Sequence, residues 1–160
     1  MKLDETDKKI LERLQTDANI TNAQLAAEVG ISPAAMLERV KRLENSGVIL
    51  RYVAIIDPAK IGRKTLAIIS VSLTVHQLNS IDYFKEEISG IGEVLECYHV
   101  AGEEDFILKV AISDIQEYEQ FMFKKLAKIN GINKIKTTFI VSTVKYDTKF
   151  TFPGERGTSE

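Results

Sequence analysis

The chain has 160 residues, of which 44% are hydrophobic and 28% charged, as expected of a globular protein. No stretch approaches the roughly 20 consecutive apolar residues of a membrane span, and residues 1–9 lack the apolar core of a signal peptide. We therefore expect a cytoplasmic protein without a membrane partner. One cysteine excludes an internal disulfide, and with only two histidines in the chain we expect no metal site.

Positive charge is concentrated in one segment, although the net charge of the chain is −2. Residues 31–64 contain seven Lys or Arg and three Asp or Glu, a net charge of +4. Residues 1–30 and residues 65–160 are both net negative. The composition argues against a uniformly basic nucleic-acid-binding protein, so any contact with nucleic acid is expected from this one segment.

The first thirty residues predict two helices. Asp4 can cap a first helix that ends at residues 17–19. The inward positions of this helix fall at helical spacing and are Ile10, Leu11 and Leu14. Thr21 and Gln24 form a capping-box pattern, in which the two side chains satisfy backbone N–H groups reciprocally. Gly30 then supplies the left-handed residue that ends the second helix.

A third helix is predicted over residues 33–46. Ser32 is a good N-cap, Pro33 suits the first helical position, and Gly47 stops the helix. Two capped helices joined by a short turn through glycine are typical of the helix-turn-helix, which places its second helix in the major groove of DNA. The candidates for DNA contact are Ser32, Ala34, Ala35, Glu38, Arg39, Lys41, Arg42 and Arg51.

The residue types along the third helix fit a groove of DNA. Small side chains at its start permit close approach to base edges, and guanidinium groups further along can fork onto phosphate or guanine. The alternative is that the charged side chains only solvate the outer face of a small helical bundle. The three helices by themselves leave both interpretations open.

The remainder of the chain alternates between strand and helix patterns. Residues 50–56 are rich in β-formers and end at Asp57 and Pro58, which predicts a strand followed by a turn. Further strands are predicted over 65–75, 93–101, 104–112 and 133–145, and helices over 80–89 and 114–129. The order β-α-β-β-α-β is that of a ferredoxin-like fold. We therefore predict an α+β protein with both helices on one sheet face.

The predicted domains are a winged helix-turn-helix domain over 1–49, a hinge strand and linker over 50–63, a ferredoxin-like domain over 64–150 and a flexible tail over 151–160. Neither face of the last predicted strand is polar enough to rest in water. A second copy of the chain is expected to cover the sheet, and a symmetric dimer is the simplest closure.

Motifs spaced along the chain agree with one family. They include Leu3-Asp4-x-x-Asp7, Gly30-Ile31-Ser32-Pro33, Gly47-Val48-Ile49, Asp57-Pro58 and Gly102-x-x-Asp105-Phe106. Together they resemble the Lrp/AsnC family of transcriptional regulators, over roughly residues 3–146. One departure is Ala34-Ala35-Met36, where that family often has a hydroxyl residue, proline and cysteine. This departure leaves the fold prediction intact and the operator preference unreadable.

The resemblance implies a regulator that binds double-stranded DNA and assembles as dimers gathered into tetramers or octamers. It further implies that the strand over 50–56 pairs with its counterpart in a second copy. The residues alone also permit a wing that packs on its own helices.

The turn at residues 101–105 is a candidate effector site. Gly102 allows a tight turn and leaves N–H groups accessible to a carboxylate, while Glu103, Glu104 or Asp105 could receive an ammonium. The alternative is an acidic, solvated hairpin turn. The resemblance implies that an amino acid binds near this turn where dimers meet, with Asp105, which matches the family motif, as the preferred acid for its ammonium. The candidates are Tyr98, Val100, Ala101, Gly102, Glu103, Glu104, Asp105, Thr138, Phe139 and Ile140.

Enzymatic activity is not expected, because no catalytic triad, phosphate loop or cofactor motif is present. The leading hypothesis is a transcription factor that responds to a small molecule. One alternative is a stand-alone metabolite-sensing or adaptor protein whose helical domain binds a protein partner. The other is a small ferredoxin-like enzyme, for which only Asp105 or His99 could be nominated as the base.

Overall fold

The computed structural model describes residues 2–74 and 80–153, which form two compact units. The helical unit contains the chain up to Ile55 and the C-terminal segment from Lys145 onward. The sheet unit contains Ile56–Val144. The predicted ferredoxin-like domain ran to residue 150, but the described residues from 145 onward group with the helices instead of the sheet.

The helical unit contains the three predicted helices, which are α1 (Glu5–Thr16), α2 (Asn22–Val29) and α3 (Pro33–Asn45). Asp4 caps α1, since its side chain accepts a hydrogen bond from the Asp7 N–H at 2.7 Å. The Asp7 side chain accepts one in return from the Asp4 N–H at 3.2 Å. The two side chains thus satisfy two backbone N–H groups at the start of α1 that have no partner within the helix.

α2 and α3 form the predicted helix-turn-helix. Thr21 and Ser32 cap the two helices by accepting hydrogen bonds from backbone N–H groups three residues later, each at 3.2 Å. Gly30 lies between them with φ +80°, a conformation that side chains with a Cβ rarely adopt. The helices enclose a core of Ile10, Leu11, Leu25, Ala26, Met36, Val40 and Leu43.

The C-terminal segment packs on the helical unit. The Phe150 N–H donates to the Gln15 side-chain oxygen at 2.7 Å, and the Gln15 amide donates to the Phe150 carbonyl at 3.2 Å. Phe152 is half-buried against the helical core. The flexible tail predicted over 151–160 stays a prediction: Phe152 packs on the core, and residues 154–160 lie outside the described residues.

The predicted strand over 50–56 is not a strand in the single chain. Residues 50–57 have no regular secondary structure and no ladder hydrogen bonds, and exposed large side chains there include Leu50, Tyr52, Val53, Ile55 and Ile56. A strand requires a paired neighbour, and none of the described residues supplies one. A contact of this segment with its own helices is formed, since the Tyr52 hydroxyl donates to Glu44 of α3.

The sheet unit has the predicted β-α-β-β-α-β order. Its elements are β1 (Thr65–Leu73), α4 (Ser80–Ser89), β2 (Val94–His99), β3 (Phe106–Ile112), α5 (Ile115–Lys124) and β4 (Ile132–Phe139). The strands are antiparallel and lie in the order β2-β3-β1-β4. β1 and β3 are therefore central, while β2 and β4 form opposite edges.

Two boundaries in the sheet unit differ from the prediction. β4 was expected to reach residue 145 but ends at Phe139. The reason is that its neighbour β1 begins at Thr65, so the last hydrogen bond between the two runs from the Ile140 N–H to the Leu66 carbonyl. The helix predicted over 114–129 ends at Lys124 and continues as a short 3-10 turn.

Both helices lie against one face of the sheet, as predicted. Ala67, Ile69 and Val71 of β1 point into a core that also holds Phe84 of α4 and Phe121 of α5. The alternate residues of β1 and its neighbours point to the other face. This open face, on which no described helix packs, carries Leu66, Ile68, Ser70, Ser72, Ile107 and Lys109.

Glu117 in the first turn of α5 connects two loops of the sheet unit. One carboxylate oxygen is paired with Arg63, which precedes β1, and the other accepts a hydrogen bond from the Ser113 N–H at 2.6 Å. The Arg63 guanidinium holds the pKa of Glu117 at about 2. The bonds favour the charged form of the carboxyl group.

We expect Phe152→Ala to lower the thermal unfolding midpoint of the helical unit, because it removes apolar surface from the core. A half-buried phenylalanine contributes about 1 kcal/mol, which corresponds to a shift of about 4–8 °C for a unit of this size. Calorimetry on the full chain measures the shift. Phe150→Ala is the control, since that side chain is 81% exposed and its bonds to Gln15 come from the backbone. Equal midpoints for the two variants would contradict the packing of Phe152.

We expect Glu117→Gln to lower the free energy of unfolding at pH 7 by about 1 kcal/mol, a value reduced for the partial exposure of Arg63. Because the folded-state pKa of Glu117 is lowered to about 2 from an ordinary 4.5, this contribution is complete above pH 4.5 and is lost as the pH falls toward 2. Denaturant unfolding at pH 7 and pH 2.5 measures both effects. Glu119→Gln, an exposed change on the same helix, is the control. If the free energies of unfolding of Glu117→Gln and the wild type differed equally at the two pH values, the proposed dependence on the pKa of Glu117 would be refuted.

Candidate functional site

The outer face of α3 is accessible. The predicted contacts Ser32, Ala34, Ala35, Glu38 and Lys41 are all exposed. Lys41 makes no ion pair within the described part of the chain. The two alanines leave the start of the helix without bulky side chains. This surface presents small side chains and a cation without an ion pair, the residue types that can approach base edges and phosphates of double-stranded DNA.

Arg39 and Arg42 were predicted to point at DNA, but both are engaged with α1. Arg39 Nη1 donates to Asp4 Oδ2 and Asp7 Oδ1, each at 2.8 Å. Arg42 Nη2 donates to the two oxygens of Asp7 at 2.7 and 2.8 Å. The bond from Arg39 lowers the pKa of Asp4. Asp7 was not recognised from the sequence as a partner, because helical periodicity does not predict contacts across 35 residues.

Arg51 lies exposed in the segment 50–57 after α3. Its neighbour Tyr52 attaches this segment to α3. The Tyr52 hydroxyl donates to Glu44 Oε1 at 3.0 Å. Burial of the ring, together with this bond, raises the pKa of Tyr52 to about 12. The segment 50–57 is thus attached to the C-terminal end of α3, a contact that the sequence did not indicate.

In the acidic turn, Asp105 has a structural task. Its Oδ2 accepts a hydrogen bond from the Leu73 N–H at 2.6 Å, and its own N–H donates to the Val71 carbonyl at 3.0 Å. The Asp105 carboxylate therefore closes the end of β1. It is the least available of the three acids for the ammonium of a ligand. Glu103 is exposed and Glu104 half-buried.

The position of Gly102 does not require glycine in the single chain. It is not among the described glycines with positive φ, and a Cβ at this position would meet nothing within 4 Å. A side chain there is therefore neither strained nor obstructed. The described backbone N–H groups of residues 101–104 donate no hydrogen bond within the chain.

The two parts of the predicted effector site do not meet in one chain. The turn joins β2 to β3 and lies beside Val71 of β1, whereas Phe139 of β4 lies beside Ala67 on the other side of β1. These two positions on β1 are four residues apart, or roughly 13 Å along the strand. Thr138, Phe139 and Ile140 therefore lie apart from the turn.

Two aromatic candidates also have partners elsewhere. The Tyr98 hydroxyl donates to Glu96 Oε2 at 2.8 Å, and this bond raises the pKa of Tyr98. The Phe139 ring meets Tyr118 of α5 edge-on at a centroid distance of 5.0 Å. Val100 and Ala101, by contrast, adjoin the turn as predicted, with the Val100 N–H bonded to the Asp105 carbonyl.

The described residues offer no metal site, since no group of three or more His, Cys, Asp or Glu side chains is placed to hold an ion. His99, one of the two candidate bases, stacks its ring on Phe106 at a centroid distance of 4.9 Å. Among the helices of the described ranges, none combines the length and apolar character required to cross a membrane.

Comparison with known proteins accounts for both units. Residues 66–150 match the Lrp/AsnC ligand binding domain, and residues 3–49 match a winged helix-turn-helix DNA-binding domain. The chain is 36% identical over 143 residues to the transcriptional regulator AzlB of Bacillus subtilis, covering 89% of this chain and 91% of that protein. It is equally identical to the leucine-responsive regulatory protein of Haemophilus influenzae, covering 89% and 86% of the two.

A solved structure is similar over both units. It is the complex of a Neisseria meningitidis transcriptional regulator with L-Met, with a TM-score of 0.89 and 29% identity over 94% of this chain and 97% of that one. These relatives are regulators of transcription and not enzymes. Because both of its domains match and relatives of 36% identity span most of its length, this chain belongs to the Lrp/AsnC family of transcriptional regulators.

Proposed function

We propose that this regulator binds a specific site in double-stranded DNA through α3 and that an amino acid, bound by assembled sheet units in the cytoplasm, changes this binding. The observation that carries the DNA-binding proposal is the accessible outer face of α3, with Lys41 unpaired among the described residues. Arg51 adds a second exposed cation close to α3 in sequence. Phosphate contacts from such cations hold a helix in register, while its small N-terminal residues approach the bases.

The effector proposal rests on the backbone of the turn. The N–H groups of residues 101–104 are without a partner within the described chain, and a carboxylate can accept hydrogen bonds from such groups. Glu104 is the acid best placed for the ammonium, because it is half-buried and carries no ion pair in the described residues, whereas Asp105 is engaged with β1. The L-Met complex of the Neisseria relative supports an amino acid as the class of ligand.

The assembly proposal follows from the separation of the turn from Thr138–Ile140. A site that uses both requires the turn of one copy and the β4 end of another. Two surfaces are available for a second copy: the open face of the sheet and the segment 50–57. Both carry apolar side chains that no helix or strand of the described chain covers. We propose a homodimer that assembles further into a tetramer or octamer.

We expect Lys41→Gln to weaken binding to a duplex that the wild-type protein selects from a random-sequence pool. It should also reduce the slope of log affinity against log salt by about one for each α3 bound. The reason is that binding with one phosphate contact fewer releases fewer counterions from the DNA. Fluorescence anisotropy from 50 to 200 mM salt measures both. Lys9→Gln removes an exposed cation from α1 and is the control. Failure of the wild type to select any duplex would favour an adaptor role for the helical unit.

We expect one or more of the twenty amino acids to raise the melting temperature of the wild type by mass action, and Gly102→Asp to abolish that shift. The added carboxylate fits sterically, because the space there is open, but it repels the ligand carboxylate. Glu103→Gln should leave the shift unchanged. A screen in which no amino acid shifts the wild type would leave the turn an ordinary hairpin.

The origin of the two parts of the site can be tested by mixing. Gly102→Asp and Phe139→Ala chains, co-expressed in equal amounts, should each fail to bind alone. If the site combines two copies, each part has a chance of one half of coming from a chain in which it is intact. Random mixing then leaves about a quarter of the sites with both parts intact, and only these sites bind. Calorimetric titration would then find about one quarter of the wild-type stoichiometry. Complete absence of binding in the mixture would place the whole site in one chain.

A further inference from the structure

Asp7 is the one charged residue of the described chain that the core buries, with only 1% of its surface exposed. It lies on α1, and the two guanidinium groups that neutralise it both come from α3. Its Oδ1 accepts from Arg39 and Arg42, and its Oδ2 accepts from Arg42 and from the Asp4 N–H at 3.2 Å. A buried carboxylate with this many donors is fully satisfied and fixed in position.

The two arginines differ in how much of each remains accessible. Arg39 also bonds to Asp4, and 28% of its side chain is exposed. Arg42 uses only Nη2 to reach Asp7, and 50% of its side chain is exposed. Within the described chain, its Nε and Nη1 donate no hydrogen bond. Arg42 therefore retains free donors, whereas Arg39 mainly connects α1 with α3.

A guanidinium group is planar, so fixing one of its nitrogen atoms restricts the directions of the others. A free arginine on a helix surface loses side-chain entropy when it binds a phosphate. The Arg42 group has already lost much of this freedom in the folded protein. Its remaining donors are thus already oriented for a second acceptor such as a phosphate oxygen.

We propose that Asp7, which itself does not touch DNA, is a positioning residue for DNA binding. It holds Arg42 by Nη2 so that one of the remaining N–H groups, on Nη1 or Nε, donates to a phosphate oxygen of double-stranded DNA beside α3. This inference rests on the proposed DNA-binding function. It assigns Arg42, and not Arg39, as the phosphate contact, and it makes α1 part of the DNA-binding machinery.

The sign of the effect of Asp7→Asn separates this role from general electrostatics. Removing a negative charge close to DNA should strengthen binding if Asp7 acts only through its charge. If Asp7 positions Arg42, binding should instead weaken by about tenfold, the order expected when a charge-assisted hydrogen bond is lost. Glu12→Gln removes one negative charge from α1 without touching Arg42 and is the matched control. Its affinity should equal or exceed that of the wild type.

Arg42→Lys is the second variant, because Asp7→Asn could unfold the helical unit. It preserves the charge and leaves Arg39 bonded to Asp7, so the helices stay in place. A lysine has its three N–H donors on a single nitrogen, so it cannot reach Asp7 and a phosphate with two separate nitrogen atoms as the guanidinium does. With its ammonium drawn to Asp7, the salt slope should fall by about one for each α3 bound, although the formal charge is unchanged.

The measurements use the full chain and the duplex selected by the wild type, with circular dichroism to confirm that each variant is folded. Weaker binding of folded Asp7→Asn and a reduced slope for Arg42→Lys are the expected results. Wild-type affinity and slope for Arg42→Lys would overturn the proposal, as would tighter binding by folded Asp7→Asn. If the wild type itself selects no duplex, the proposed DNA-binding function fails, which is a different outcome from these.

Discussion

A four-stranded sheet with both helices on one face leaves its other face and its two edges for contacts outside the chain. In this protein β1 and β3 fill the centre, because their alternate residues are apolar and meet α4 and α5. β2 and β4 are consequently placed at opposite edges. The candidate effector residues belong to parts of the sheet that this order separates, so the proposed site depends on a second copy of the chain.

The helical unit is organised around a buried charge in addition to its apolar core. Asp7 bonds to two arginines of the helix that is predicted to meet DNA. Arg39 and Arg42 belong to the positively charged segment from which contact with nucleic acid is expected. The same two side chains thus also hold α1 to α3. Removing either partner of such a pair leaves a charge buried without compensation, which costs more than the pair itself contributes.

Chain connectivity relates the two units through more than one segment. The chain leaves the helical unit after Ile55 and returns to it at Lys145. The first segment is attached to α3 by Tyr52, and the second is attached to α1 by the hydrogen bonds between Phe150 and Gln15.

Local signals in the sequence by themselves determined the helices, their caps and the β-α-β-β-α-β order. Capping at Asp4, Thr21 and Ser32, for example, depends on residues at most three positions apart. The tertiary structure alone decided the partners of Arg42, the task of Asp105 and the end of β4. Each of these depends on atoms at least 30 positions away, and neither periodicity nor propensity carries information about contacts at that separation.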